Sequence, residues 1–202
     1  MSVEHEEKRR LRRHLLEVRR ALPADVVAAR GAALATRVRE LDELRAAPAG
    51  APLTVAAYVS IGGEPDTLAL LDALRAVGVR VLLPVLLPDN DLDWAVYEGA
   101  EHLAPAGWGL REPAGPRLTP QAVAEADVVL LPGLAVDRTG LRLGRGGGSY
   151  DRVLARLERS GRRASLVVLL YDDEVVERVP AERHDRRVHA AVTPSGVHRF
   201  RH

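Results

Sequence analysis

The residues best suited to chemistry lie in one glycine-rich stretch, Arg142–Arg152, which reads RLGRGGGSYDR. Four glycines in positions 144–148 leave the backbone free to adopt positive φ and to approach a ligand closely. Consecutive N–H groups in such a turn, followed by a helix N-terminus, form an anion site. Arg142 and Arg145 add cationic forks that suit phosphate oxygens, and Asp151 adds a hard carboxylate that suits Mg²⁺. The stretch therefore predicts a Mg-ATP site of the kind used in phosphoryl transfer.

This stretch has three other interpretations. A glycine run alone is also typical of a flexible surface loop, but the interleaved arginines and the following Asp favour phosphate binding. The stretch is not a Walker A loop, because no Gly-Lys-Ser/Thr ending is present. It is a poor dinucleotide-binding fingerprint, because it begins about a dozen residues after the preceding strand and Ser149 replaces the third glycine.

A second loop, 60–67 (SIGGEPDT), follows the first predicted strand. Asp66 and Thr67 are explained by capping of the next helix. Glu64 is not, and a carboxylate at the end of a strand can accept N–H groups from a bound heterocycle. Glu64 is therefore a candidate ligand residue.

Asp185 lies in the segment 180–185 (PAERHD), after the last long strand. It is a candidate second ligand of Mg²⁺, and the alternative is a solvated turn.

The first predicted helix carries a run of basic residues between positions 8 and 13. Lys8 is the only lysine among 29 basic residues, which marks it as a place where a compact ammonium is wanted. Neighbouring glutamates dilute the run, no aromatic residues interleave for base stacking, and the net charge is only +1. RNA binding is therefore the weaker alternative, and we expect one or two of these cations to reach the phosphates of a nucleotide.

The elements that must position these residues follow from the hydrophobic periodicity. Helices are predicted at 4–21, 24–46, 67–77, 119–126 and 148–160, and a linker at 47–52. Strands are predicted at 53–59, 79–83, 127–131 and 165–170, with a further strand pair at 92–97 and 188–193. Short apolar strands that alternate with amphipathic helices indicate an α/β three-layer sandwich with a mainly parallel sheet. We expect one domain over 1–202, with N-terminal helices at 1–46 and an α/β core at 53–194.

Composition narrows the protein class. With no cysteine among 202 residues, disulfides, thiolate metal sites and cysteine nucleophiles are excluded. The charged N-terminus lacks the apolar core of a signal peptide, and no apolar run approaches the ~20 residues that span a bilayer. We expect a cytoplasmic monomer that binds neither membrane nor nucleic acid.

Five segments together give the chain a resemblance to the 5-formyltetrahydrofolate cyclo-ligase family, also called 5,10-methenyltetrahydrofolate synthetases. They occur in family order and are KRRLR from Lys8, YVSIGGEPDT from Tyr58, GLREP from Gly109, LPGLAVDRTGLRLGRGGGSYDR from Leu131 and PAERHD from Pro180. The fourth segment is highly specific, and the others are weak alone. The resemblance implies a fold similar to the sugar-phosphate isomerase and CoA-transferase group. It also implies that ATP phosphorylates the formyl oxygen of 5-formyltetrahydrofolate before the ring closes, with release of ADP and phosphate.

The resemblance also implies roles for individual residues. The expected catalytic residues are Arg145 and Tyr150, and the expected magnesium ligands are Asp151 and Asp185. The residues expected to bind ATP are Lys8, Arg9, Arg10, Leu11, Arg12, Arg142, Leu143, Gly144, Arg145, Gly146, Gly147, Gly148, Ser149 and Tyr150. Those expected to bind the folate are Arg12, Tyr58, Glu64, Arg145, Gly146, Gly147, Gly148 and Ser149.

Three positions depart from the family pattern. Ser149 stands where the family usually has a tyrosine, Val136 replaces a customary Phe, and Glu174 stands where Gln is common. The missing ring at 149 removes a packing surface, and it leaves open the alternative of a weakly active or non-catalytic paralogue that binds folate and ATP.

Overall fold

The computed structural model describes residues 3–45, 52–182 and 185–201. Within them the helices are α1 (Val3–Arg20), α2 (Ala24–Val38), α3 (Asp42–Arg45), α4 (Leu68–Ala76) and α5 (Ser149–Ser160). The strands are β1 (Thr54–Ala56), β2 (Arg80–Leu86), β3 (Leu92–Val96), β4 (Leu103–Pro105), β5 (Arg111–Pro113), β6 (Val128–Pro132), β7 (Ala135–Asp137), β8 (Arg142–Leu143), β9 (Ser165–Leu169), β10 (Val175–Val176), β11 (Ala190–Thr193) and β12 (Gly196–Arg199).

One seven-stranded sheet runs through the molecule in the order β12-β11-β9-β6-β1-β2-β3. The inner pairs are parallel, and the two edge strands, β12 and β3, are antiparallel to their neighbours. The inner strands are buried on both faces, which is why they read as continuous Val and Leu runs without polar alternation. A small sheet, β10-β7-β8, and a hairpin, β4-β5, lie beside this main sheet.

Helices cover both faces of the sheet. On one face, Leu34 of α2 and Leu70 of α4 belong to a buried cluster with the sheet residue Val55. On the other face, Leu154 of α5 and the fully buried Trp94 of β3 belong to a second cluster. This arrangement confirms the predicted α/β sandwich with a mainly parallel sheet.

Several predicted elements differ from the structure. The segment predicted as a helix at 119–126 is a 3₁₀ stretch, Pro120–Glu125, and it follows Thr119, whose φ is 87°. Both strands predicted at 92–97 and 188–193 are present, as β3 and β11. They do not pair with each other: β3 pairs with β2, and β11 pairs with β9 and β12. The helix predicted at 24–46 is divided between α2 and α3, and residue 46 and linker residues 47–51 lie outside the described residues.

The first helix packs as part of the core. Leu15 of α1 is buried with Leu134, Leu143 and Val179, on the loops and short strands beside the main sheet. Among the described residues, no helix is both long and apolar enough to cross a membrane.

Gly31 in the middle of α2 allows a close approach to the loop that follows β1. A Cβ built on Gly31 would lie 2.7 Å from Cβ of Asp66 and 3.1 Å from its carbonyl oxygen. Real Cβ atoms do not approach so closely, so only glycine lets α2 lie against this loop. The helix therefore helps to position the loop that carries Glu64.

We predict that Gly31→Ala destabilises the protein, although Ala is the better helix former by ~1 kcal/mol. The added methyl group must displace α2 or the backbone at Asp66, and such overpacking costs about 1–3 kcal/mol. Urea unfolding measures the change, with Ala32→Gly at the adjacent exposed position of α2 as the control for helix propensity. A more stable Gly31→Ala variant would contradict the close contact.

Candidate active site

A cleft of about 460 Å³ opens at the carboxyl ends of β1, β2 and β6. In open α/β sheets this edge is where ligands bind. Its lining includes residues of α1 and of the glycine-rich loop, together with apolar side chains of the β2–β3 hairpin and of the loop before β5. Both loops that the sequence predicts to bind ligands, at 60–67 and 142–151, contribute residues to the cleft.

The glycine-rich loop connects β8 to the first turn of α5. Gly146 and Gly148 have φ of 94° and 78°, in the left-handed region where a side chain would be strained. Gly148 occupies the N-cap position of α5, and among the described residues no side chain caps this helix. The residues of its first turn line the cleft, so their backbone N–H groups lie where an anion site requires them.

The turn before the glycine-rich loop is held by Asp137 at the end of β7. One of its oxygens accepts hydrogen bonds from both the N–H and the hydroxyl of Thr139 and from the N–H of Leu141. The other accepts from the N–H of Val179, at 3.2 Å. Burial opposes ionisation of Asp137, but these donors outweigh it and hold its pKa below the usual range. The β7–β8 turn is thereby tied to the segment that leads to Asp185.

Arg142 lies beneath the glycine-rich loop. Its Nη1 donates to the carbonyl of Pro132 at 2.9 Å, and its Nη2 lies 3.5 Å from Oδ1 of Asp151. Burial lowers the pKa of Arg142, and the nearby carboxylates of Asp151 and Asp185 oppose that shift. A Cβ on Gly144 would lie 2.9 Å from Nη1 of Arg142, so the loop closes tightly over this guanidinium.

Glu64 lies at the floor of the cleft and is 5% exposed. Its Oε2 accepts the N–H of Ile61 at 3.0 Å, and its Oε1 lies 3.3 Å from Nη1 of Arg145, on the glycine-rich loop. Burial raises the pKa of Glu64; the N–H of Ile61 and the charges of Arg145 and Arg19 reduce the shift without cancelling it. The site thus holds a desolvated carboxyl group next to the guanidinium of Arg145.

Two tyrosines stand beside Glu64. The hydroxyl of Tyr58 is buried and has no hydrogen-bond partner among the described residues. Burial raises the pKa of Tyr58 and of Tyr150, and the negative charge of Glu64 adds to both shifts. Both hydroxyls therefore remain protonated at neutral pH and can donate hydrogen bonds to a ligand.

Two cations of α1 reach the cleft. The Nζ of Lys8 is buried between Oε2 of Glu182 at 2.7 Å and Oδ2 of Asp185 at 2.6 Å. The Nε of Arg12 donates to the carbonyl of Gly144 at 2.9 Å, directly on the glycine-rich loop.

Three other predicted ATP-binding residues of α1 do not line the cleft. Arg9 is exposed and pairs with Glu6 at 3.2 Å, and Arg10 is also exposed. Leu11 packs against the cluster around Leu15. Their predicted contact with ATP remains a prediction.

The two predicted magnesium ligands both line the cleft but differ in their surroundings. The carboxylate of Asp151 is 55% exposed, and its ion pair with Arg142 is long, at 3.5 Å. Asp185 accepts both Lys8 and the N–H of Glu182 through Oδ2. Among the described residues no group of three or more His, Cys, Asp or Glu side chains could hold a metal. Residues 183 and 184 lie outside the described residues.

Sequence reasoning missed several residues of the cleft. Leu86, Leu92 and Leu110 form its apolar wall, and Glu182 joins Asp185 in binding Lys8. Glu182 lies within the quoted PAERHD segment, so its position beside Asp185 was the available signal. Leu110 lies in the GLREP segment, which was its signal. Leu86 and Leu92 carried none, because their alternation resembles that of any half-buried hairpin.

Comparison with known proteins matches most of the chain to one family. Residues 4–194 match the 5-formyltetrahydrofolate cyclo-ligase family. A 5-formyltetrahydrofolate cyclo-ligase of Mycolicibacterium smegmatis is 41% identical over 195 residues, which cover 93% of each chain. One from Escherichia coli strain K12 is 36% identical over 146 residues, covering 71% of this chain and 79% of that protein.

Solved structures agree with this match. The NMR structure of Aquifex aeolicus 5,10-methenyltetrahydrofolate synthetase superimposes with a TM-score of 0.79 at 28% identity, covering 96% of this chain and 93% of that one. A 5,10-methenyltetrahydrofolate synthetase from Mycoplasma pneumoniae, at 19% identity and a TM-score of 0.69, covers 93% of this chain and 98% of that one and shares the fold.

We predict that Glu64→Gln raises the free energy of unfolding at pH 7–8. Since the pKa of Glu64 is raised in the folded chain, the folded state holds this proton more tightly than the unfolded state does. Wild-type stability is therefore lost as the pH rises from the ordinary pKa of about 4.5 through the folded pKa, and glutamine avoids that loss.

Thermal melts between pH 4.5 and pH 8 test this, since each kcal/mol shifts the midpoint by about 2–4 °C for a chain of this length. The gain should grow with pH. Glu7→Gln, at an exposed position of α1, is the control. A Glu64→Gln variant that melts below the wild type at pH 8 would refute the prediction.

Proposed function

Because the chain belongs to the 5-formyltetrahydrofolate cyclo-ligase family, we propose that ATP and the folate react in the cleft at the carboxyl edge of its sheet. The protein is an ATP-dependent ligase. It converts 5-formyltetrahydrofolate to 5,10-methenyltetrahydrofolate and releases ADP and phosphate.

The observation that carries the proposal is the 3.3 Å contact between Nη1 of Arg145 and Oε1 of Glu64. Arg145 belongs to the glycine-rich loop, which is suited to binding phosphate. Glu64 belongs to the loop after β1, and its carboxylate is suited to binding the N–H groups of a heterocycle. Because these two loops meet at one contact, a γ-phosphate on one and a pterin on the other would lie side by side. Direct transfer of a phosphoryl group needs that proximity.

The reaction can be followed as two steps. The formyl oxygen attacks the γ-phosphorus while the bond from that phosphorus to the ADP oxygen breaks. N10 then attacks the formyl carbon and loses its proton, and the C–O bond breaks so that phosphate leaves with the former formyl oxygen. The first step needs neutralisation of phosphate charge, and the second needs the folate to be held in a bent, water-poor site.

Residues of the cleft have suitable chemistry for the first step. We assign Arg145 to the transferring phosphoryl group and the N–H groups at 146–149 to its oxygens. The protonated hydroxyl of Tyr150 is a further donor. Lys8 and Arg12 supply charge from α1, and Arg142 anchors the loop from below.

Glu64 and Tyr58 have suitable chemistry for holding the folate. An ionised Glu64 accepts two N–H groups of a pterin, and the unpartnered hydroxyl of Tyr58 lies in the same buried region. The leucines of the opposite wall offer an apolar surface for the aromatic part of the substrate. Ser149, where the family usually has a tyrosine, also lines the cleft.

The residues present fit a magnesium ion held with the phosphates. Mg²⁺ takes one or two protein carboxylates and completes its coordination with water and phosphate oxygens, so a three-carboxylate cage is not needed. The exposed carboxylate of Asp151 fits that role, and Asp185 would join it when Lys8 turns from Asp185 to a phosphate. Bound there, the ion would neutralise charge on the phosphate oxygens.

Two further points belong to the proposal. A cytoplasmic location agrees with the bacterial relatives, and a monomer agrees with a cleft formed from residues of one chain.

Mixing the protein with 5-formyltetrahydrofolate and Mg-ATP should produce the ultraviolet absorbance of the methenyl product and an equal amount of ADP. Arg145→Met should reduce kcat on the order of 100-fold, because one charge-stabilising donor is removed. Arg138→Met, at an exposed position of the β7–β8 turn, is the control and should leave the rate unchanged. Absence of product from the folded wild type would reject the proposal, and ligand binding without ADP release would favour the weakly active paralogue.

Asp151→Asn should weaken the binding of Mg²⁺ with nucleotide about tenfold or more, because a neutral amide is a poorer ligand for this hard cation. Calorimetric titration of Mg²⁺ into protein with ADP measures this without turnover. Glu158→Gln on the outer part of α5 is the control, since its carboxylate pairs with Arg186. Equal Mg²⁺ affinity in the wild type and the Asp151→Asn variant would remove Asp151 from the site.

A further inference from the structure

Arg19, near the end of α1, is almost fully buried outside the lining of the cleft. Its Nε and Nη2 donate to the two carboxylate oxygens of Glu174, at 2.6 and 2.7 Å. The same Nη2 donates to the carbonyl oxygen of Gly133 at 2.7 Å. We call Arg19 with these two partners the Arg19 clamp.

The clamp joins loops that follow three neighbouring strands. Gly133 comes directly after β6, and Glu174 follows β9. The loop after β1 touches Arg19 at Gly63, where an added Cβ would lie 3.0 Å from both Cβ and the carbonyl oxygen of Arg19. Since β9, β6 and β1 are adjacent in the sheet, one residue connects three successive loops at the carboxyl edge.

Two of these loops, those after β1 and β6, line the cleft. Gly63 precedes Glu64, the candidate pterin ligand. Gly133 begins the segment that leads to Arg142 and the glycine-rich loop. The distance between the folate and phosphate subsites therefore depends on how the loops after β1 and β6 lie relative to each other.

Stability is a poor explanation for the clamp. Apolar residues of similar volume often replace a buried ion pair without loss of stability. In addition, Nη1 of Arg19 is buried and has no hydrogen-bond partner among the described residues, which costs free energy. What a planar fork provides, and an apolar side chain does not, is fixed direction toward each acceptor. Glu174 is itself held, because Oε2 also accepts the N–H of Tyr171 at 2.9 Å.

We propose that Arg19 is a positioning residue, which sets the loops after β1, β6 and β9 in the register that brings the two substrates together. It touches neither substrate. The proposal rests on the proposed function, because its catalytic consequence is the alignment of the γ-phosphate with the formyl oxygen. A displacement of about 1 Å between reacting groups can cost on the order of 100-fold in rate.

The main test uses Arg19→Lys, which keeps the charge and loses the fork. At a temperature well below its melting midpoint, this variant should show kcat reduced about tenfold or more. The KM values for ATP and 5-formyltetrahydrofolate should change less than about threefold, because Lys8, Arg12 and Glu64 keep their own contacts. Glu174→Leu, which keeps a similar volume and removes both acceptor oxygens that face Arg19, should reduce kcat in the same direction.

Arg199→Lys is the matched control. Arg199 also binds two carboxylates, those of Asp42 and Glu43, but it lies on the edge strand β12 and does not line the cleft. This control should lower the melting midpoint and leave kcat unchanged. If Arg19→Lys likewise melts lower and keeps the wild-type kcat, the clamp is only structural and the proposal is overturned.

Amide hydrogen exchange provides a readout that needs no substrate. In Arg19→Lys, exchange should accelerate in all three segments 61–64, 132–134 and 171–174. In Arg199→Lys, exchange in these segments should match the wild type. Acceleration confined to α1 would overturn the positioning role. If the wild type itself lacks cyclo-ligase activity, the proposed function fails, and the exchange data still decide whether Arg19 connects the loops.

Discussion

The cleft depends on the attachment of α1 to the carboxyl edge of the sheet by charge. Lys8, Arg12, Leu15 and Arg19 recur at helical spacing, so they share the face of α1 that meets the core. Three of the four are cations, and each binds a different part of the protein. Lys8 binds Glu182 and Asp185, and Arg12 binds the carbonyl of Gly144. Arg19 binds Glu174 and the carbonyl of Gly133. A helix attached in this way brings positive charge to a phosphate site and also fixes the loops beneath it.

This attachment has an energetic consequence. Cations that hold α1 in the free protein are paired with carboxylates or carbonyls, so a bound nucleotide must compete with partners already present. Lys8 is the clearest case, because Glu182 and Asp185 both contact its ammonium group. Exchange of these carboxylates for phosphate oxygens would keep the ammonium paired and would release Asp185 for a metal ion.

Burial around Glu64 has a comparable energetic consequence at the end of the cleft that we propose binds the folate. The carboxyl group is kept in a poorly solvated position, where its pKa is raised, and Arg145 provides the nearest cation. Because this carboxyl group is poorly solvated in the free protein, hydrogen bonds that a ligand donates to it contribute more to the free energy of binding than they would at a solvated carboxylate. Function and stability are therefore opposed at this residue.

From the sequence alone, local chemistry was predictable: the glycine-rich loop with Arg142, Arg145 and Asp151, the strand-end carboxylate Glu64, and the α/β class. These depend on residue types close together in the chain, where backbone freedom and hydrophobic period leave a local signal. The partners of Lys8, the contact between Arg145 and Glu64, and the Arg19 clamp join residues far apart in the chain. Only the tertiary structure decided them, because the order of the strands in the sheet determines which loops meet.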